Sequence, residues 1–318
     1  MQKKFKYIIL IMIFSLFLSG CSLLKRDNME DISIITTIYS LEYVINYLYG
    51  DNAVINSIYP DDTNIDNYTF TDKQIRDNSK KDLFIYMGKT KDSDIAITYL
   101  NNNKNLKLID ASFGIEYKNG EEELWMNPSN LLMIAENIRN GLNEYISSSY
   151  LIKEIDNNYN NLKIELSELD ADVKLSFENA SKNTIFTNSN ALKYLSKYGV
   201  NVIVLNKNDN QYEKNLTLLK NRINGKAIKY FYALENVEIP SEVQELVDNK
   251  SIKLETLHNL KNINDQERNN KINYIELSKD NLNMLKKEQI KLSIVSSKKF
   301  FYEFNLSLKN LTKNYNVK

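Results

Sequence analysis

Residues 150–179 read YLIKEIDNNYNNLKIELSELDADVKLSFEN, and this stretch decides the architecture of the chain. Its apolar residues recur three or four positions apart, at Leu151, Ile155, Tyr159, Leu162, Leu166, Leu169, Val173 and Phe177. Neither Gly nor Pro interrupts this spacing, which predicts one continuous amphipathic helix. At 1.5 Å per residue the helix is about 45 Å long, more than the width of a small lobe. We expect it to span two lobes; the alternative is a coiled-coil stalk.

Both flanks of this helix alternate short apolar runs with helical patterns. Before it, strands are predicted at residues 32–38, 53–59, 83–87 and 106–109. After it, strands are predicted at residues 184–187, 201–205, 227–233 and 251–254. Such alternation indicates β/α units. The predicted fold class is α/β, with two β/α lobes whose mostly parallel sheets are joined by one long rigid helix.

The N-terminus has the pattern of an export signal. Lys3, Lys4 and Lys6 precede a largely apolar run of twelve residues, 7–18, which is too short to cross a bilayer comfortably. The sequence Leu-Ser-Gly-Cys at residues 18–21 resembles a bacterial lipobox, whose cysteine is lipidated and becomes the first mature residue. Cys21 is thus the predicted lipidation site, and acyl chains there would hold the protein on the membrane. The alternative is an uncleaved N-terminal anchor.

These patterns divide the chain into five segments and predict its location. They are a signal peptide (1–20), a tether (21–30), an N-terminal lobe (31–147), a linking helix (148–180) and a C-terminal lobe with an extension (181–318). The predicted location is the extracellular face of the bacterial cell membrane. Nothing in residues 288–318 indicates their role.

Composition excludes several classes of function. The formal net charge is zero, and without residues 1–20 it is −3, from 38 basic and 41 acidic residues. A mildly acidic chain lacks the basic surface that nucleic-acid binding needs. One Cys and one His argue against a disulfide, a Cys-based zinc site and a Ser-His-Asp or Cys-His catalytic site. The chain also lacks a G-x-G-x-x-G or phosphate loop. We expect a protein that is not an enzyme.

A family resemblance appears in several stretches of both halves. They are residues 34–39, 82–88, 109–115, 124–138, 194–199 and 274–282, of which Leu-Trp-Met-Asn-Pro at 124–128 is the most specific. Together they resemble the solute-binding lipoproteins of ABC importers for zinc and manganese. The resemblance runs from about residue 32 to residue 287. It implies the metal-receptor class of the periplasmic-binding-protein-like fold, in which one rigid helix joins two lobes.

The resemblance also implies a metal site between the lobes, commonly built from His and acidic side chains. With one His in the chain, the usual ligand set is not present. The first two family positions fall on Asp66, before Asn67-Tyr68, and on Glu123, two residues before Trp125. Tyr68 and Trp125 are interpreted as packing residues that shape the cleft.

The other two ligand positions fall in the second half. The third is Asn188 or Ser189, in a strand-to-helix turn. The fourth is Ile272 or Asn273, with Asp265 or Glu267 in the preceding loop as substitutes. The predicted metal ligands are Asp66, Glu123, Asn188, Ser189 and Asn273. His258 is either a relocated ligand or a partly buried histidine.

Such ligands would form an all-oxygen site. Oxygen ligands favour Mn²⁺, Mg²⁺ or Ca²⁺ over Zn²⁺. The predicted function is a lipid-anchored, monomeric solute-binding component of an ABC importer. Its partners would be a permease and an ATPase, and its cargo a divalent metal ion, Mn or Zn. Two alternatives remain: another, cationic solute, or a degenerate member without metal that acts as a surface adhesin, sensor or accessory lipoprotein.

Overall fold

The computed structural model describes residues 27–116, 123–178 and 184–288. The predicted signal peptide, Cys21 and most of the C-terminal extension lie outside these ranges. The predicted tether overlaps the first of them. There Met29 is fully buried, and Asp27 accepts hydrogen bonds from the backbone N–H groups of Ser147 and Ser148 at 2.8 and 2.6 Å. The chain therefore joins the folded body by residue 27.

The N-terminal lobe is built on a four-stranded parallel sheet. Its strands are β1 (Ile32–Thr36), β2 (Ala53–Ser57), β3 (Leu83–Tyr86) and β4 (Lys107–Asp110), in the order β2-β1-β3-β4. Its helices are α1 (Tyr39–Tyr49), α2 (Asp72–Ser79), α3 (Asp92–Asn102) and α4 (Pro128–Tyr145). Parallel strands need crossover connections, which place helices on both faces and bury the strands. This explains why β1 and β3 are apolar runs.

The C-terminal lobe repeats this topology. Its strands are β5 (Thr184–Thr187), β6 (Asn201–Val204), β7 (Tyr230–Leu234) and β8 (Lys253–Leu257), all parallel, in the order β6-β5-β7-β8. Its helices are α6 (Tyr212–Asn224), α7 (Ser241–Asp248), α8 (Asp265–Asn269) and α9 (Tyr274–Leu285). A 3-10 helix, Asn190–Tyr198, follows β5 and ends at Gly199, whose φ of +82° suits glycine.

The linking helix, α5, spans Ser149–Phe177 and is 29 residues long. Ser148 caps its N-terminus by accepting a hydrogen bond from the N–H of Leu151. All eight apolar residues that predicted the helix are buried. It packs against α4 and α1 of the first lobe and against α9 of the second. The predicted fold, two parallel α/β lobes joined by one long helix, is confirmed.

A single hydrophobic cluster extends from the first lobe through α5 into the second. It includes Ile34 of β1, Trp125, Leu166 of α5 and Tyr274 of α9. A second cluster, around Phe231, lies within the C-terminal lobe. The lobes therefore meet over a packed interface. In the part of the chain that the structure describes, no helix is long and apolar enough to cross a membrane.

Candidate functional site

Asp66 lies in a loop of the N-terminal lobe, at the boundary with the other lobe. It belongs to a 3-10 helix, Ile65–Asn67, that follows β2, and Asn64 accepts a hydrogen bond from its N–H at 3.1 Å. The Lys91 ammonium donates to the carbonyls of Ile65 and Asp66 at 3.0 and 3.1 Å. These hydrogen bonds hold the loop in place, while the Asp66 carboxylate remains 46% exposed.

Glu123 approaches the same point from the loop before α4. It precedes a 3-10 helix, Leu124–Met126, and Pro128 then begins α4. Its side chain is only 11% exposed. Burial raises the pKa of the Glu123 carboxyl, and the neighbouring Lys261 opposes this shift. Among the described residues, its Oε2 accepts no hydrogen bond.

Lys261 of the C-terminal lobe joins these two carboxylates. It lies in the loop after β8, and its Nζ is 3.0 Å from Asp66 Oδ2, 3.1 Å from Asp66 Oδ1 and 3.5 Å from Glu123 Oε1. The ammonium also lies 5.8 Å from the centre of the Trp125 ring. One positive charge from one lobe is therefore shared by two acidic residues of the other.

The backbone around Lys261 is hydrogen-bonded to the N-terminal lobe. We call residues 259–263 the interlobe loop. The carbonyl of Lys261 accepts from the Tyr39 N–H at 2.7 Å. Its neighbours make similar bonds, which are Trp125 Nε1 to Asn259 O at 2.9 Å, Ser40 Oγ to Leu260 O at 2.7 Å, Asn262 Nδ2 to Pro60 O at 2.9 Å, and Asp62 N to Ile263 O at 3.0 Å. The loop is thus fixed to the opposite lobe along its whole length.

A second cation of the same lobe repeats this arrangement nearby. Arg268 of α8 pairs with Glu42 of α1, Nη1 to Oε1 at 2.7 Å and Nη2 to Oε2 at 3.2 Å. It also contacts Asp61 through Nε, and through Nη2 at 2.8 Å. Lys261 and Arg268 together hold four carboxylates of the N-terminal lobe.

The remaining predicted ligands hold loops of the C-terminal lobe in place. Asn188 accepts from the Leu234 N–H at 2.7 Å and donates to the Val237 carbonyl at 2.9 Å. Ser189 caps the 3-10 helix after β5. Asn273 caps α9 in a capping box with Glu276. The structure brings Asp66 and Glu123 together, and it gives Asn188, Ser189 and Asn273 hydrogen bonds within their own lobe.

His258 lies beside the interlobe loop and faces two acids. Its Nδ1 accepts a hydrogen bond from the Leu260 N–H at 2.9 Å and lies 3.6 Å from Glu235 Oε1. Its Nε2 lies 3.5 Å from Glu267 Oε2, and that glutamate caps α8. Within residues 27–116, 123–178 and 184–288, no three His, Cys, Asp or Glu side chains are grouped so that they could hold a metal ion.

Comparisons with known proteins identify the family of the chain. The model of the family described as "ZnuA: Zinc-uptake complex component A periplasmic" matches residues 34–288. The chain belongs to this family. Its members are extracytoplasmic solute-binding components of ABC importers for metal ions and are not enzymes, as the sequence predicted. A search of curated proteins gives no match.

Several solved structures share the fold. The zinc-bound ZnuA-like domain of Streptococcus pneumoniae AdcA is 20% identical, with a TM-score of 0.69 over 81% of this chain and 99% of that one. The metal-dependent lipoprotein YcdH of Bacillus subtilis is 19% identical, with a TM-score of 0.69 over 81% and 99%. The laminin-binding protein Lbp of Streptococcus pyogenes is 17% identical, with a TM-score of 0.67 over 82% and 99%.

Sequence reasoning missed Lys261 in this family member. The signal that could have found it is its place, because it follows β8, and ligands of open α/β sheets gather outside the carboxyl ends of parallel strands. Asp66 and Glu123 also follow strands, β2 and β4. The ligands expected there are anionic or neutral, so the expected site has no place for a basic residue.

Proposed function

We propose that this zinc-uptake family member is a lipid-anchored receptor of an ABC importer and that its cargo is a divalent metal ion. The observation that carries the proposal is the convergence of Asp66 and Glu123 on one cation at the lobe boundary. Two carboxylates that share one point favour positive charge there. A divalent ion would bind at this point in exchange for the Lys261 ammonium.

Different observations support the lipid anchor and the importer partners. The lipobox-like residues 18–21 support acylation of Cys21. YcdH, which shares the fold, is named a metal-dependent lipoprotein, and this name is consistent with a lipid anchor. Membership of the zinc-uptake family supports a permease and an ATPase as partners. Carboxylate ligands favour Mn²⁺ over Zn²⁺, because Zn²⁺ prefers nitrogen and sulfur.

A second candidate function is favoured by Lys261 itself. The ammonium already satisfies both carboxylates, so a protein with no metal cargo would keep the same scaffold. Such a protein would act as a surface adhesin, sensor or accessory lipoprotein. The laminin-binding name of Lbp, which shares the fold, is consistent with an adhesin.

Thermal unfolding with added ions separates the two functions. Melting temperatures of the full chain are measured in EDTA and in increasing Mn²⁺ or Zn²⁺. An ion at a hundred times its Kd adds about 2.7 kcal/mol to the free energy of unfolding. The proposal predicts a rise with Mn²⁺ that Glu123→Gln abolishes and that Asp172→Asn, an exposed change on α5, retains. No rise with any divalent ion would leave the adhesin or sensor function.

A further inference from the structure

The cation at the lobe boundary is part of the protein. In a zinc-uptake family member, the two carboxylates that fall on the family's metal positions contact Lys261 Nζ at 3.0 and 3.5 Å. We infer that Lys261 is a built-in substitute for the metal ion, which closes the lobes without cargo and sets how weakly a divalent ion binds. This inference rests on the proposed function only in treating Asp66 and Glu123 as the cation site.

The backbone of Lys261 is held in place independently of its side chain. Its own carbonyl accepts from the Tyr39 N–H, and both neighbours in the interlobe loop are hydrogen-bonded to the N-terminal lobe. Ordering the ammonium therefore costs side-chain entropy but no further backbone entropy. A cation held in this way has a high local concentration at Asp66 and Glu123, and a free ion must compete with it.

Burial strengthens the competition between Lys261 and a free ion for the two carboxylates. The side chains of Lys261 and Glu123 are 15% and 11% exposed, so solvent screens their interaction weakly. The pair Asp66 and Glu123 would offer a divalent ion two negative charges, but Lys261 cancels one of them. An incoming ion must displace the ammonium or bind beside a like charge, and both weaken binding.

A second set of ion pairs, which includes none of the predicted metal ligands, also holds the lobes together. Arg268 pairs with Glu42 and Asp61 across the same boundary. The single tryptophan, Trp125, reports on this boundary, because its Nε1 donates to Asn259 of the interlobe loop at 2.9 Å. Its fluorescence therefore measures whether the contact changes when an ion binds.

The test compares Mn²⁺ binding by the full chain and by variants of Lys261, using titration calorimetry and Trp125 fluorescence. We expect Lys261→Gln to bind Mn²⁺ at least about tenfold more tightly than the wild type, because the competing charge is removed. Its fluorescence should become dependent on Mn²⁺. Lys261→Arg, which keeps the charge, should retain the wild-type affinity. So should Lys207→Gln, which removes a Lys–Glu pair elsewhere in the same lobe.

The outcomes separate this inference from the proposed function. If Lys261→Gln binds Mn²⁺ no more tightly than the wild type, the inference is overturned, whether or not the wild type binds. If Lys261→Gln binds and the wild type does not, the inference stands and metal capture by the native protein fails. Circular dichroism monitors folding, and Lys261→Met, which keeps a flexible apolar side chain without the charge, replaces the Gln variant if that one unfolds.

Discussion

Lys261 and Glu123 form an ion pair that water reaches poorly. Because both side chains are mostly buried, removing Lys261 leaves Glu123 as an uncompensated buried carboxyl group. Asp66 is 46% exposed, and its pairing with Lys261 is correspondingly weaker. The energetic weight of the site at the residue scale therefore lies on the buried pair.

Lys261→Met should destabilise the metal-free protein. We expect a loss of about 1–3 kcal/mol in the free energy of unfolding, measured by urea denaturation in EDTA. The double variant with Glu123→Gln should lose less than the sum of the single changes, because each removes the same interaction. Lys207→Met, which breaks a more exposed pair, should cost less than about 1 kcal/mol. Equal losses for the two lysines would contradict the assigned pairing.

Residue-scale prediction from the sequence reached part of this site. Asp66 and Glu123 were predicted as the first two family positions because Asp66 precedes Asn67-Tyr68 and Glu123 lies two residues before Trp125. Their ligand role, like that of Asn188, Ser189 and Asn273, stays a prediction. Lys261 could not be placed, because it meets its partners across 138 and 195 positions of sequence. Only the packing of the lobes brings them together.

At the scale of secondary-structure elements, Asp170 attaches the linking helix to both lobes. Asp170 of α5 accepts hydrogen bonds from Tyr198 Oη, Ser129 Oγ and Lys197 Nζ, at 2.5, 2.7 and 2.9 Å. Burial opposes ionisation of Asp170, but these three donors outweigh it and hold the pKa of the carboxyl group below its ordinary value. The carboxylate therefore joins α4, α5 and the 3-10 helix after β5.

The lowered pKa of Asp170 predicts a dependence of stability on pH. A carboxyl group whose folded-state pKa is lowered contributes stability above its unfolded-state value, and loses it as the pH falls through the folded-state value. Asp170→Asn should cost about 1–2 kcal/mol at pH 6 and clearly less at pH 2, by urea denaturation. The exposed Asp172→Asn should change little at either pH. A cost of Asp170→Asn that does not vary with pH would refute the assignment.

Helix α8 is attached to the first lobe through Arg268. Arg268→Ala removes the pairs with Glu42 and Asp61 and should leave two carboxylates facing each other. We expect faster amide hydrogen exchange in residues 259–272, because local opening becomes easier there. Arg222→Ala, at an exposed position of α6, provides the control. Unchanged exchange in this segment would show that Arg268 does not hold α8 in place.

Secondary-structure elements could be predicted from the sequence where the spacing of apolar residues stays regular over a long stretch. The 29-residue helix α5 was predicted because eight apolar residues keep one face along its length. Short elements were less exact, because the strand predicted at 251–254 lies at Lys253–Leu257. Four or five residues do not fix a strand boundary, because pairing with β7 decides where β8 begins.

The whole molecule combines a shared core with a boundary that carries opposite charges. One hydrophobic cluster crosses from the first lobe through α5 to α9. Around it, the second lobe presents Lys261 and Arg268 to acids of the first. Movement of the lobes must break these pairs while the core stays packed, so we expect a small rocking motion.

Anchoring is a prediction at this scale, because it decides where the receptor meets its partners. Cys21→Ala should abolish incorporation of radiolabelled palmitate, because lipid attachment requires the thiol. Lys3→Ala, within the predicted signal peptide, should leave labelling intact. Palmitate labelling that persists in Cys21→Ala would contradict acylation of this residue.

The central claim is that Asp66 and Glu123 form one cation site, which Lys261 fills when no metal is present. Crystals grown in EDTA and crystals soaked in Mn²⁺ test it directly, with anomalous diffraction to locate manganese. We predict that Lys261 Nζ lies within about 4 Å of both carboxylates in EDTA, and that a manganese peak takes its place after soaking. A lysine directed into solvent in EDTA, or a peak only elsewhere, such as at His258, would contradict the account.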